Sequence, residues 1–137
     1  MTPETLARCT NKTAFLARLT ALSAPGPNDP LDFSLYALWA LRDAFEEECP
    51  ANHNAEPAIR NAAVWIEYAG KTLWQQAVDG REFSGRQAAP GKKFADRAWR
   101  GFTEERWNVW RGGFEEVGSQ AEASEVEEAK ASGKQGA

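Results

Sequence analysis

The sequence predicts an all-α protein: an irregular four-helix bundle with a long basic loop and a disordered acidic C-terminal tail. Three observations carry that expectation. Apolar residues recur at helical spacing in four stretches, near residues 3–22, 31–48, 56–78 and 103–117. Proline and glycine clusters separate these stretches. Beyond Phe114 no aromatic residue follows, and glutamate, alanine, serine, glycine and lysine take over. Such a composition cannot repay the entropy of ordering. The expected division is a helical domain over residues 1–118 and a disordered acidic tail over 119–137.

The first helix opens with Thr2 as cap, Pro3 at the first helical position and Glu4 at the positive dipole end. Leu6, Cys9, Thr13, Leu16 and Leu19 or Thr20 trace one face. Three prolines between Ala24 and Pro30 end it, because proline cannot continue a helix. Asp29 and Pro30 are expected to start the second helix, with Leu31, Leu35, Leu38 and Phe45 as its stripe, widened by Trp39 and Leu41. Glu46, Glu47 and Glu48 fall at its negative end, an arrangement unfavourable by a few tenths of a kcal/mol per charge. Pro50 stops it.

The third helix is the most strongly patterned. Ile59, Ala62 or Ala63, Ile66, Ala69 or Gly70, Leu73 and Ala77 repeat along it, and Trp65, Tyr68 and Trp74 extend its apolar surface. Arg60, Glu67, Lys71 and Gln75 leave only a narrow polar strip, which predicts a central helix. Ile66, Ala69, Gly70 and Leu73 are expected in the core. Ala63 and Gly70 are expected to form a shallow groove for a neighbour's close approach, so that Gly70→Leu would overpack it.

The pattern fails from Gly80 to Phe102. Arg81, Arg86, Lys92, Lys93, Arg97 and Arg100 stand there against Glu82 and Asp96. A loop of this length in a small domain is uncommon. The expectation is a solvated loop held against the acidic tail, in preference to one that binds phosphate groups on RNA, an anionic membrane or a ligand. Thr103 then caps the last helix, whose stripe is Trp107, Trp110, Phe114 and Val117. Gly112 and Gly113 weaken that helix by about 1 kcal/mol each relative to alanine.

At 137 residues, 42% of them hydrophobic and six of them tryptophan, the chain has material for one core. A net charge of −4 argues against a nucleic-acid footprint over the whole protein. Nothing in the sequence is apolar over the length a membrane span needs. Cys9 and Cys49 stand outside any Cys-x-x-Cys pattern, and residues 1–9 do not read as a secretory signal, so reduced thiols in an intracellular, cytoplasmic protein are expected. His53 is the only histidine and lies in a polar linker. No metal or cofactor is therefore called for, and a serine, threonine or cysteine nucleophile would lack its commonest base. Glu67 and Tyr68 set against Arg106 have the composition of a catalytic cluster. Glu67 is better read as the surface partner of Lys71, and Arg106 as a group that stacks on tryptophan or binds a carboxylate.

Two aromatic blocks are distinctive. The first, Ala63 to Trp74, contains Trp65, Tyr68, Ala69, Gly70, Leu73 and Trp74; the second, Trp99 to Trp110, contains Gly101, Thr103, Glu105, Arg106, Trp107 and Trp110. The pairing resembles an uncharacterised family of filamentous-fungal proteins, a domain of unknown function with a W-x-x-Y-A-G-x-x-L-W helix and a G-x-T-x-E-R-W-x-x-W helix. The resemblance covers about a third of the chain. It implies an intracellular helical protein and carries no activity with it. Members of that family are often longer, which raises the expectation of a core completed by a partner.

Trp39, Trp65, Tyr68, Trp74, Trp99, Arg106, Trp107 and Trp110 are the candidate ligand or interface residues, since their rings exceed what one narrow stripe per helix can bury. The expected function is a non-enzymatic helical interaction module that self-associates or joins a helical protein partner, with no membrane involved and a basic-loop nucleic-acid binder only the third-ranked reading. The alternative is a small-molecule-binding protein or an atypical enzyme of fungal metabolism that uses an aromatic pocket.

Overall fold

Residues that repeat every three or four positions need a surface to bury against, and in this chain the third helix provides it. The computed structural model describes the backbone of residues 3–10 and all atoms of residues 11–24, 29–47 and 56–118. Helix α1 spans Pro3–Leu22, α2 spans Ser34–Phe45 and α3 spans Glu56–Asp79. A fourth helix, α4, occupies residues 104–118, and a single 3-10 turn, Lys92–Phe94, interrupts the loop before it. Among the described residues there is no strand, only an isolated antiparallel bridge between Glu82 and Gly101. The fold is all-α, as the periodicity predicts. The side chains of Leu6 and Cys9, and all of Cys49, His53 and residues 119–137, lie outside the described residues.

Helix α3 packs against both α1 and α2. Its buried row is Ala62, Trp65, Ala69, Leu73, Gln76 and Ala77, at the spacing that keeps one face inward. Arg60, Glu67 and Lys71 are exposed, as expected. Against α3, α1 buries Thr13, Ala17 and Thr20, which are small enough for close approach. Thr13 Oγ1 donates to Asn61 Oδ1 at 2.6 Å. Thr20 Oγ1 donates to the Leu16 carbonyl at 3.0 Å and accepts from the Phe33 amide at 3.0 Å, joining the end of α1 to the approach of α2.

Helix α2 begins later than the Asp29–Pro30 pair predicts. Asp29 uses its carboxylate locally, accepting from the amides of Leu31 at 2.9 Å and Ala24 at 2.8 Å, so it closes a turn. Asp32 accepts from the Ser34 amide at 3.0 Å where the helix starts. Leu31 is consequently left exposed and outside the stripe. Polar contacts continue inward from this point. Gln76 Nε2 donates to Ser34 Oγ at 2.8 Å, Arg81 donates to Gln76 Oε1 at 2.6 Å, and Arg81 pairs with Asp32 at 2.7 Å. At the far end of α3, Gly80 adopts φ 66°, and the Arg81 amide reaches back to the Gln76 carbonyl at 3.1 Å. That is the left-handed glycine stop of a Schellman motif.

The close-packing glycine is not the expected one. Gly70 is half-buried, a Cβ there would meet only Ile66 Cγ2 at 3.5 Å, and Ala63 is exposed. Among the described residues no helix docks in the predicted Ala63–Gly70 groove. Ile66 is likewise half-buried. A Cβ on Gly113 would instead collide with the Phe45 ring. That ring is fixed by an edge contact with Phe114 at 4.6 Å between centroids. Gly113 thus lets α4 approach the end of α2, a gain in packing that offsets its intrinsic helix penalty.

Candidate functional site

The loop from Gly80 to Phe102 is fastened at both ends and in its middle. At its ends, the Phe83 amide donates to the Arg100 carbonyl and the Phe102 amide to the Arg81 carbonyl, each at 2.8 Å. In its middle, one face of α2 holds it. Trp39 Nε1 donates to the Gln87 carbonyl at 2.6 Å, and Arg42 donates to the Ala89 carbonyl at 3.1 Å. The Gly91 amide donates to Glu46 Oε1 at 3.0 Å. Trp39, Arg42 and Glu46 lie at i, i+3 and i+7, so they share a face just beside the aliphatic stripe. A Cβ on Gly91 would stand 2.5 Å from the Glu46 carbonyl oxygen, so the backbones meet there without room for a side chain.

Glu46 and Arg106 are fully buried and paired, with Nε to Oε2 at 2.8 Å and Nη2 to Oε1 at 3.1 Å. This is the bidentate fork-to-carboxylate arrangement. The remaining capacity of each group is used. Trp110 Nε1 donates to Glu46 Oε2 at 2.7 Å. Arg106 Nη1 donates to the Ala88 carbonyl at 2.7 Å and the Gly101 carbonyl at 3.1 Å, and Nη2 to the Ala89 carbonyl at 3.1 Å. The guanidinium also lies 5.4 Å from the Trp99 ring and 5.5 Å from the Trp110 ring. Arg106 therefore both binds a carboxylate and stacks on tryptophan. The cost of burying two charges is met by complete hydrogen bonding, and among the described residues no buried side-chain polar atom lacks a partner. The pair is an architectural clamp holding α2, the loop and α4. All its donor positions are occupied, so it has none free for a substrate.

The expected unfavourable placement of Glu46 is thereby corrected. Glu46 lies just past the last residue of α2, where four donors converge on its carboxylate and outweigh the helix dipole. The basic loop is also not a loosely solvated segment, since Ala88 at its centre is wholly buried.

The eight aromatic and arginine candidates separate into two groups. Trp65, Trp99, Arg106 and Trp110 are buried. Trp99 donates from Nε1 to Glu105 Oε1 at 2.9 Å. Trp39, Tyr68 and Trp107 are half-buried, and Trp74 is 40% exposed. Tyr68 is taken by Arg18, whose guanidinium lies 4.6 Å from its ring centroid. Tyr68 and Arg106 thus have separate partners, and no Glu67–Tyr68–Arg106 cluster forms.

Among the described residues a cleft of about 220 Å³ lies beside Trp39, Asp43, Asn61 and Trp65, and two larger clefts lie elsewhere. One lies between α3 and α4, about 280 Å³, walled by Ile66, Trp107, Trp110 and Phe114 with Arg111 and Glu115 at its rim. Trp74 adjoins it, its ring 5.5 Å from that of Trp107. The other, about 350 Å³, lies within the basic loop and is lined by Gly85, Arg86, Ala89, Arg97, Ala98, Trp99 and Arg100. Among the described residues no group of three or more His, Cys, Asp or Glu could hold a metal ion, and no helix is long and apolar enough to cross a membrane.

The family model for a protein of unknown function, DUF3632, matches residues 2–114. The chain belongs to this family. The matched region takes in both aromatic blocks and the Glu46–Arg106 clamp, so the clamp lies within what the DUF3632 model describes. Neither a curated protein nor a solved structure matches the chain.

Proposed function

We propose that this domain is a non-enzymatic helical interaction module that self-associates, the α3–α4 groove of one copy receiving the exposed apolar edge of α1 from a second. The observation that carries this reading is a pair of unsatisfied apolar surfaces on one small chain. The groove is walled by aromatic and aliphatic side chains and continues into Trp74, which is 40% exposed. On α1, Phe15 is 62% and Leu22 79% exposed, and they stand seven residues apart on one face. Anchors at i and i+7 are what an apolar groove accepts from an amphipathic helix. Charge agrees, since Lys12 lies one turn before Phe15 and Glu115 stands at the groove rim. Tryptophan is a frequent interface anchor, and a closed two-fold pair is the simplest assembly.

A second reading has its own support. The same groove is concave and apolar, close in size to small-molecule pockets, so an apolar ligand held within one chain is the rival. Sedimentation equilibrium at micromolar concentrations separates the two. The interaction reading expects a dimer that F15E/L22E dissociates without loss of helicity. A clean monomer of 15.1 kDa overturns it, and saturable binding of an apolar dye to that monomer establishes the ligand reading.

A further inference from the structure

We infer that the cleft in the basic loop is a preformed anion site for a small organic phosphate. Arg86, Arg97 and Arg100 all line it. Among the described residues, the side chains of Arg86 and Arg100 take part in no hydrogen bond or ion pair. Arg97 has only a long 3.9 Å contact with Glu105, and both groups are about half exposed, at 49% and 60%. Three arginines with almost no internal partners line one concavity, and an anion in the cleft would supply the partner each lacks. The planar guanidinium fork matches phosphate oxygens in pairs, which a point-charge cation does not.

The walls favour a ligand over diffuse charge. Gly85, Ala89 and Ala98 contribute little bulk, which leaves about 350 Å³, room for a phosphate with a modest organic portion. Trp99 also lines the cleft; it is 8% exposed, with its ring 5.3 Å from that of Phe94 and 5.4 Å from the Arg106 guanidinium. The frame is rigid as well. Arg106 fixes the carbonyls of Ala88, Ala89 and Gly101, and Trp39 and Arg42 fix those of Gln87 and Ala89. A ligand would meet arginines mounted on an already ordered loop, so little ordering entropy opposes binding. The site differs from the apolar groove of the proposed interface in lining and in chemistry, and it stands or falls separately. Nucleic acid is the less fitting source of phosphate, because the feature is a concave cleft in a chain of net charge −4.

Isothermal titration of the full chain with inorganic pyrophosphate, and in parallel with a ribonucleoside monophosphate, tests this. The expected result is one equivalent bound per chain. R86A/R100A should weaken it at least about tenfold, the loss of roughly one charge-assisted hydrogen bond or more, with the melting temperature unchanged. Tighter binding of the monophosphate than of pyrophosphate, despite its lower charge, supports use of the Trp99 wall. Absence of binding, binding that R86A/R100A leaves intact, or a preference for an RNA oligonucleotide over both small probes overturns the inference.

Discussion

The clamp around Glu46 and the groove between α3 and α4 reverse the usual distribution of polar and apolar groups. In the clamp, a carboxylate and a guanidinium are fully buried, and the groups around them are spent on hydrogen bonds. In the groove, Trp107, Phe114 and Ile66 stay half-buried beside an open cleft, and Trp74 is 40% exposed. Both regions use α4: Arg106 turns toward the clamp, Trp107 and Phe114 wall the groove, and Trp110 serves both. The difference teaches that burial here follows partner supply more than hydrophobicity. Glu46 goes inside because four donors meet it, and the groove stays outside because no element of the described chain covers it.

The sharpest way to break this comparison is to remove one half of the clamp. Glu46→Leu should lower the unfolding free energy by about 3–5 kcal/mol, the cost of leaving a buried guanidinium unpaired. E46L/R106M should recover much of that loss, because two apolar side chains no longer need donors. Denaturant unfolding of the three proteins checks both. A single variant as stable as the parent would show that water reaches the clamp and that it is not closed.

A pair of glycine substitutions sharpens the contrast at intermediate size. Gly113→Val should cost about 1–3 kcal/mol by overpacking against Phe45. Gly70→Ala should stabilise by about 0.5–1 kcal/mol, since a Cβ there makes only an ordinary contact with Ile66 and alanine is the better helix former. Opposite shifts in melting temperature are the expected outcome. A loss from Gly70→Ala would return Gly70 to the tight packing that the sequence leads one to expect.

The smallest effect concerns Asp43, a carboxylate in the last turn of α2, one turn before Glu46 but without its donors. Desolvation holds its carboxyl above the ordinary value, with Glu47 adding to the rise and Arg42 opposing it. The folded state then binds the proton more tightly than the unfolded chain. Its destabilising contribution is present at neutral pH and disappears as pH falls through the raised folded value. Asp43→Asn should therefore be slightly more stable than the parent at pH 7, with the advantage gone at acid pH. The size is limited by the exposure of Asp43. An equal difference at both pH values would detach it from ionisation.

How much of this could be read from the residues follows from the range of each interaction. The four helices were legible, because periodicity and caps are local: Pro3–Leu22 and Glu56–Asp79 emerge almost as the pattern draws them, and Thr103 Oγ1 accepts from the Arg106 amide at 3.0 Å. The start of α2 was less so, because Asp29 and Asp32 offer equivalent cap chemistry and only the chain's path from Thr20 selects between them. The candidate list included Arg106 and Trp110 but not Glu46. The available signal was its place on one helical face with Trp39 and Arg42, outside the aliphatic stripe.

The sequence by itself determined the helical class, the central role of α3 and the chemical preference of Arg106 for a carboxylate and an aromatic face. Those follow from spacing and side-chain type. Tertiary structure alone decided which carboxylate answers Arg106, which glycine admits a neighbour and which tryptophans stay at the surface. Glu46 and Arg106 are sixty residues apart in the chain. Their pairing depends on α2 and α4 converging at Gly113 and on the loop delivering the Gly91 amide, which no local pattern encodes.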